Sequence, residues 1–142
     1  MKALLCICLM SASVGCSAEA REFDWSLLEG HWAESTGGQY ACRPGSLGHR
    51  FAVSPDKTQL TFHLNKEFRQ PEGQRAIKEY TADILSATDN SLMIKYSLDM
   101  PGMTEETSEW ELRFIGPGAY RWRPASWPAD RYNAVIGVQC SP

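Results

Sequence analysis

Apolar and polar residues alternate in short stretches along most of the chain after residue 30. Such alternation is typical of half-buried antiparallel strands, because successive side chains point to opposite faces of a sheet. Gly, Pro, Asn and Asp punctuate the stretches. The pattern predicts strands at 31–35, 39–43, 49–54, 59–64, 78–86, 91–98, 109–115, 119–123 and 132–140. A helical turn is predicted at 24–29, capped by Asp24 and ended by Gly30, and a surface loop at 65–75.

Three predicted hairpins have registers that bring apolar side chains to one face, and a slip of one residue would turn those side chains away. The loop at 55–58 pairs Val53 with Leu60 and Phe51 with Phe62. The same register sets His49 opposite Leu64 and places His63 on the other face. The second hairpin has a three-residue loop at 88–90 with Asn90 in the left-handed region, and it pairs Ile84 with Ile94 and Ala82 with Tyr96. The third hairpin turns at 116–118. Its predicted pairs are Phe114 with Tyr120, Leu112 with Trp122 and, on the other face, Glu111 with Arg123.

Consecutive hairpins with short connections predict an all-β fold, an antiparallel up-and-down meander. About eight such strands can close into a barrel that holds one small ligand. In the last strand, the alternation predicts that the following residues point inward: Tyr132, Ala134, Ile136, Val138 and Cys140. An open two-sheet sandwich is the alternative architecture.

The first twenty residues have the build of a secretory signal peptide. Lys2 provides a positive charge, a short apolar run follows to Met10, and small residues continue to Ala18. Cleavage after Ala20 would leave 21–142 as a single domain. Alternatively, residues 13–16 resemble a bacterial lipobox, in which Cys16 would be acylated after removal of 1–15. Both interpretations predict a periplasmic or secreted protein. Only acylation of Cys16 would attach it to a membrane, as a lipoprotein of the outer membrane.

Cysteine usage agrees with export. Cys6 and Cys8 leave with the signal peptide, and Cys16 is removed or acylated, so that Cys42 and Cys140 remain. A disulfide between these two is expected in an oxidising compartment. In a closed meander, it would tie the last strand to an early strand, the one predicted at 39–43, as its neighbour in the sheet.

Charge and motif content narrow the class of function. The chain has 14 Lys and Arg against 17 Asp and Glu, with no basic run, so nucleic acid is not an expected partner. His49 and His63 lie on opposite faces, and no Cys pair or His spacing suits a metal. No nucleophile motif is present. The sequence therefore predicts a protein that is not an enzyme and needs no cofactor.

The segment Leu28-Glu29-Gly30-His31-Trp32, with Gly-x-Trp opening the first strand, resembles the N-terminal signature of lipocalins and lipocalin-like (calycin) domains. The resemblance implies a ligand-binding barrel whose closed end is sealed by Trp32, with Arg131 packed on that ring. A fainter resemblance exists at Tyr40-Ala41-Cys42, which is similar to the Tyr-x-Cys arrangement of periplasmic C-type lysozyme inhibitors.

The favoured interpretation is non-catalytic binding of a small apolar or amphipathic molecule inside the barrel. Predicted lining residues are Phe51, Phe62, Tyr96, Trp110 and Trp122, with His49 or a Tyr hydroxyl orienting the ligand. The loop at 100–103, with two Met residues, is a candidate for the mouth.

The alternative interpretation uses the outer surface. Arg121, Arg123 and Trp127, with the Gly37-Gly38 loop, would contact an envelope protein, because Arg and Trp are enriched at interface hot spots. In that case the protein is a binding module or an enzyme inhibitor.

Overall fold

The computed structural model describes residues 21–37, 41–69, 76–100 and 102–141. The strands within these ranges are β1 (His31–Thr36), β2 (Gly48–Val53), β3 (Gln59–Phe68), β4 (Ile77–Thr88), β5 (Ser91–Tyr96), β6 (Glu109–Gly116), β7 (Ala119–Pro124) and β8 (Val135–Cys140). Two short 3₁₀ helices accompany them, at Trp25–Leu28 and Glu105–Thr107. The predicted signal peptide, both of its cleavage sites and Cys16 lie outside the described residues.

The eight strands form one closed antiparallel barrel in sequence order. Each strand pairs with the next, and β1 closes the sheet by pairing with β8, from His31 opposite Cys140 to Thr36 opposite Val135. Closure leaves no unpaired sheet edge. The prediction of an all-β up-and-down barrel is confirmed, and the open sandwich is wrong.

The predicted hairpin pairs are confirmed, but two turns differ. Gly116 belongs to β6 and lies opposite Ala119, so the turn predicted at 116–118 has two residues, with a register shift between Phe114 and Gly116. Thr88 lies opposite Ser91, so the β4–β5 turn has two residues, and Asp89 rather than Asn90 has positive φ (50°). A bulge between Ile84 and Ser86 then shifts the register by one residue, which sets Ile84 opposite Ile94.

Two predicted segment boundaries are wrong. Residues 41–43, from the strand expected at 39–43, lie in turns and form no strand. Residues 39 and 40 fall outside the described residues. The loop expected from residue 65 begins later, since β3 continues to Phe68, which pairs with Ile77 beyond a register shift.

The predicted facing of the last strand is also wrong. β8 lies opposite β1 with Gly137 facing Glu34 and Gln139 facing Trp32, so the inward positions of β8 are 135, 137 and 139. Ile136, Val138 and Cys140 consequently point outward. The apolar residues of the alternating pattern therefore lie on the outer face of β8. On the inner face the strand has Gly137, since the Tyr120 ring fills the interior at this position.

The disulfide between Cys42 and Cys140 is present, with Cα atoms 5.5 Å apart. Cys42 lies in the connection between β1 and β2, and Cys140 is paired with His31 at the start of β1. The disulfide therefore holds Cys42 beside the last residue of β8, at the end of the barrel where β1 begins.

One end of the barrel is closed by the N-terminal segment. The Asp24 side chain accepts a hydrogen bond from Ser26 N and caps the first 3₁₀ helix, as predicted. Trp32 Nε1 donates to the carbonyl oxygens of Leu28 and Glu29, both at 3.2 Å, so the Trp32 ring is anchored beneath this helix. Among the described residues, no helix is long and apolar enough to cross a membrane.

Candidate functional site

The opposite end of the barrel contains a cavity of about 200 Å³. Its lining combines aromatic, thioether and aliphatic side chains with two polar ones: Tyr96, Trp110, Trp122, Met100, Met103, Val135, Glu34 and Asn133. These residues come from the ends of β1, β5 and β7, the beginnings of β6 and β8, and the connections β5–β6 and β7–β8. The cavity is therefore the mouth of the barrel.

Strand parity explains why these side chains converge. Trp110 is two residues before the inward-facing Leu112 on β6, and Trp122 is two residues after the inward-facing Tyr120 on β7. Tyr96 likewise shares the inward face of β5 with Ile94. Glu34 is two residues after the buried Trp32, so its carboxylate also points into the barrel.

Glu34, which is exposed where it lines the cavity, is the centre of a hydrogen-bond network that extends beneath the cavity. Its Oε1 accepts one hydrogen bond from the Tyr120 hydroxyl and one from Trp122 Nε1, both at 2.6 Å. The Tyr120 oxygen also lies 2.9 Å from His49 Nε2. Because the only hydroxyl proton of Tyr120 is donated to Glu34, we assign the His49 proton to Nε2, from which it is donated to Tyr120.

Burial determines the charge states of the groups around this carboxylate. Burial lowers the pKa of His49, and the negative charge of Glu34 raises it only in part, so His49 is neutral at neutral pH. Burial, followed by the charge of Glu34, raises the pKa of the Tyr120 hydroxyl. The Tyr96 hydroxyl is also held protonated, mainly by burial.

The structure divides the predicted ligand-lining residues into two layers. Tyr96, Trp110 and Trp122 line the cavity. Phe51, Phe62 and His49 lie deeper and are not part of its lining. Phe62 is 1% exposed and its ring centre is 5.1 Å from that of Phe51, so these residues fill the barrel below the mouth.

Sequence reasoning missed three cavity residues, Glu34, Asn133 and Val135. The signal for Glu34 was available, because parity with Trp32 places it inward. Val135 was missed because the facing of the last strand was predicted with the wrong parity. Met100 and Met103 contribute to the cavity wall, which places their loop at the mouth.

The residues of the protein-binding alternative have structural contacts of their own. Arg123 is 8% exposed, and its Nε donates to Glu111 Oε2 at 2.7 Å, while a second guanidinium nitrogen donates to the Trp127 carbonyl oxygen. Arg121 Nε is buried without a hydrogen-bond partner among the described residues. Arg131 stacks on the Trp127 ring at 4.1 Å rather than on Trp32, which corrects the packing that the lipocalin resemblance implied.

A metal centre and a second groove are the other candidate sites. No group of three or more His, Cys, Asp and Glu within the described ranges is arranged to hold a metal. A wider groove of about 640 Å³ runs over residues 76–81 at the start of β4 and over Ser97, Asp99 and Met100. Most of its wall is one strand segment next to residues that the structure does not describe, whereas the cavity at Glu34 is lined by side chains from five strands.

No protein-family model matches the sequence, and no curated protein matches it significantly. The geometry of the mouth is therefore the basis for the functional interpretation below.

Proposed function

We propose that this chain is an exported, non-catalytic, lipocalin-like protein that binds a small apolar or amphipathic molecule at the mouth of its barrel. The observation that carries the proposal is the cavity of about 200 Å³ between Tyr96, Trp110 and Trp122. A concave site with apolar walls and a few convergent polar groups is the usual form of a ligand site.

The walls of the cavity are preorganised. The Trp122 indole is fixed through its hydrogen bond to Glu34, and its ring packs edge-on against that of Trp110, with centres 6.4 Å apart and planes at 88°. A ligand entering between these rings would not have to order them first. Preorganisation of this kind reduces the entropic cost of binding.

The cavity volume limits the ligand. Sites for drug-sized molecules usually have volumes of about 300–1,000 Å³. The mouth is smaller, because Phe51, Phe62 and Tyr120 fill the barrel below it. The ligand is therefore a small molecule, or a larger one of which only one end enters the barrel.

Two further features support the lipocalin-like and exported parts of the proposal. Trp32 is buried at the closed end under the preceding 3₁₀ helix, as the Gly-x-Trp resemblance implies. The leader predicted at 1–20 and a Cys42–Cys140 disulfide are both compatible with an oxidising compartment outside the cytoplasm.

The protein-binding alternative has weaker support. Arg123 is buried against Glu111 and is therefore used inside the protein. Trp127 is half-buried and is covered on one face by the exposed Arg131. For the lysozyme-inhibitor resemblance, Tyr40 and part of the 35–39 loop lie outside the described residues.

Native mass spectrometry of the protein, isolated without denaturation from the cells that produce it, tests the binding function. We expect a bound small molecule in the wild type and its loss in Val135→Phe, which fills the cavity. Ile115→Phe is the matched control, because Ile115 is 52% exposed on the outer face. A wild type without bound material that also takes up no apolar probe would overturn the proposal.

A further inference from the structure

The carboxylate of Glu34 has two hydrogen-bond donors but no cationic partner among the described residues. Both donors, the Tyr120 hydroxyl and Trp122 Nε1, reach the same oxygen, Oε1. None of the ion pairs within the described ranges includes Glu34. The second carboxylate oxygen, Oε2, accepts no hydrogen bond from a described residue, although Glu34 lines the cavity.

The neighbouring titratable groups do not supply the missing positive charge. His49 is the nearest basic side chain in the network, but burial lowers its pKa and it reaches Glu34 only through the Tyr120 hydroxyl. Tyr96 and Tyr120, which flank the carboxylate, remain neutral because burial raises the pKa of each. The interior of the mouth therefore carries a net negative charge.

The walls around Glu34 suit a cation. Tyr96, Trp110 and Trp122 line the cavity together with the carboxylate. Aromatic faces attract an ammonium group through their quadrupole, and Trp does so most strongly. Glu34 is exposed to solvent where it lines the same cavity, so its carboxylate is accessible to a ligand. A carboxylate in the wall of the site adds a charge-assisted hydrogen bond, which is about twice as strong as a neutral one.

We propose that the ligand is an amphipathic organic cation, whose protonated amine bonds Glu34 Oε2 and whose apolar part lies against Trp110, Trp122 and the two Met side chains. This assignment rests on the proposed binding function and names the chemical class of its ligand. The carboxylate selects a positive charge at one end, and the aromatic and thioether walls select an apolar body.

Titration calorimetry with three probes of similar shape tests the assignment. The probes are 2-phenylethylammonium, 2-phenylethanol and 3-phenylpropionate, which have positive, neutral and negative polar ends. In the wild type at neutral pH and low salt, we expect the ammonium to bind about tenfold or more tighter than the alcohol. The carboxylate probe should bind most weakly.

Substitution of Glu34 separates its charge from its hydrogen bonding. Glu34→Gln retains an acceptor for Tyr120 and Trp122 but removes the negative charge, so the preference for the ammonium over the alcohol should disappear. Glu109→Gln is the matched control, since Glu109 begins β6 at the same end of the barrel and contacts Lys95 on the outer face. This control should keep the wild-type preference, and circular dichroism of both variants verifies that the barrel is folded.

The outcomes distinguish the assignment from the function on which it rests. Equal binding of all three probes, removed by Val135→Phe, would overturn the cationic ligand and leave small-molecule binding in place. A preference for the ammonium that survives Glu34→Gln would also overturn the assignment. Absence of binding by all three probes in the folded wild type would overturn both proposals.

Discussion

Gly137 and Tyr120 lie opposite each other on β8 and β7, and the Tyr120 ring fills the space where a side chain on Gly137 would be. A Cβ atom at Gly137 would be 2.0 Å from Tyr120 Cζ. The ring cannot easily move away, because its hydroxyl is bonded to Glu34 and its centre lies 5.0 Å from that of the Trp32 ring. This pair joins the closing seam of the barrel to the network beneath the cavity.

Gly137→Ala should therefore destabilise the protein and disturb the Tyr120–Glu34 contact. Overpacking of a filled interior costs about 1–3 kcal/mol, and we expect a loss of unfolding free energy in this range by urea denaturation. Gly116→Ala is the control, because nothing lies within 4 Å of a Cβ at that position. Equal stability of the two variants would show that Tyr120 does not occupy the space beside Gly137.

His49 should make the stability of the barrel depend on pH. Burial lowers its pKa in the folded state, so the unfolded chain binds a proton more readily than the native protein does. The stabilisation from neutral His49 is complete above the unfolded pKa of about 6.5 and is lost as the pH falls below this value. Glu34 opposes the shift but is the smaller cause.

Denaturation midpoints measured between pH 7.5 and 5 test this expectation. The wild type should lose stability as the pH falls through 6.5, and His49→Gln should show a smaller slope in this range. His63→Gln serves as the comparison, because His63 is half-exposed on the outer face and bonds Glu79. If His49→Gln retained the full wild-type slope, the protonation of His49 would not be its origin.

The Cys42–Cys140 disulfide should contribute substantially to stability. It closes a loop with a sequence separation of 98 residues, and removal of such bonds from small exported domains costs about 2–5 kcal/mol. We expect the Cys42→Ser, Cys140→Ser double variant to unfold at lower urea concentration than the oxidised wild type. Reductant should lower the urea midpoint of the wild type to that of the double variant, whose own midpoint should not change. If reductant left the wild-type midpoint unchanged, the disulfide would not be present in solution.

Arg123 should act in folding rather than in partner binding. Burial disfavours ionisation of Glu111, but hydrogen bonds from Ser91, Arg123 and Arg113 together hold its pKa below the ordinary value. Arg123→Ala removes one of these partners and also removes the guanidinium that donates to the half-buried Trp127 carbonyl oxygen. Loss of one member of a buried pair costs about 3–5 kcal/mol, and the lower end is expected because Arg113 remains.

Thermal or urea denaturation of Arg123→Ala measures this cost. Arg69→Ala is the control, since the Arg69–Glu67 pair is long (3.9 Å) and exposed. Such surface pairs contribute little. Unchanged stability of Arg123→Ala would indicate that its guanidinium is available to a partner, as the protein-binding alternative requires.

Local pattern was sufficient for the eight strands of the barrel and for the hairpin registers, whereas the disulfide was predicted by counting cysteines. Phe51 opposite Phe62, and Leu112 opposite Trp122, follow from loop length and from the requirement that apolar side chains share a face. These relationships are contained within about 15 residues of chain, where alternation and turn chemistry are the dominant constraints.

Pairing between strands that are distant in the sequence decided the facing of β8 and the composition of the cavity. The register of β8 depends on β1, more than a hundred residues earlier, and it reversed the facing predicted for Ile136 and Val138. Parity with Trp32 indicates that Glu34 points inward, but closure of the barrel is what brings its carboxylate beside Tyr120 and Trp122. The sequence by itself determined which residues alternate and where the chain turns. Only the tertiary structure decided which carboxylate lies among the aromatic rings, because the meeting of the first and last strands has no local signal in the chain.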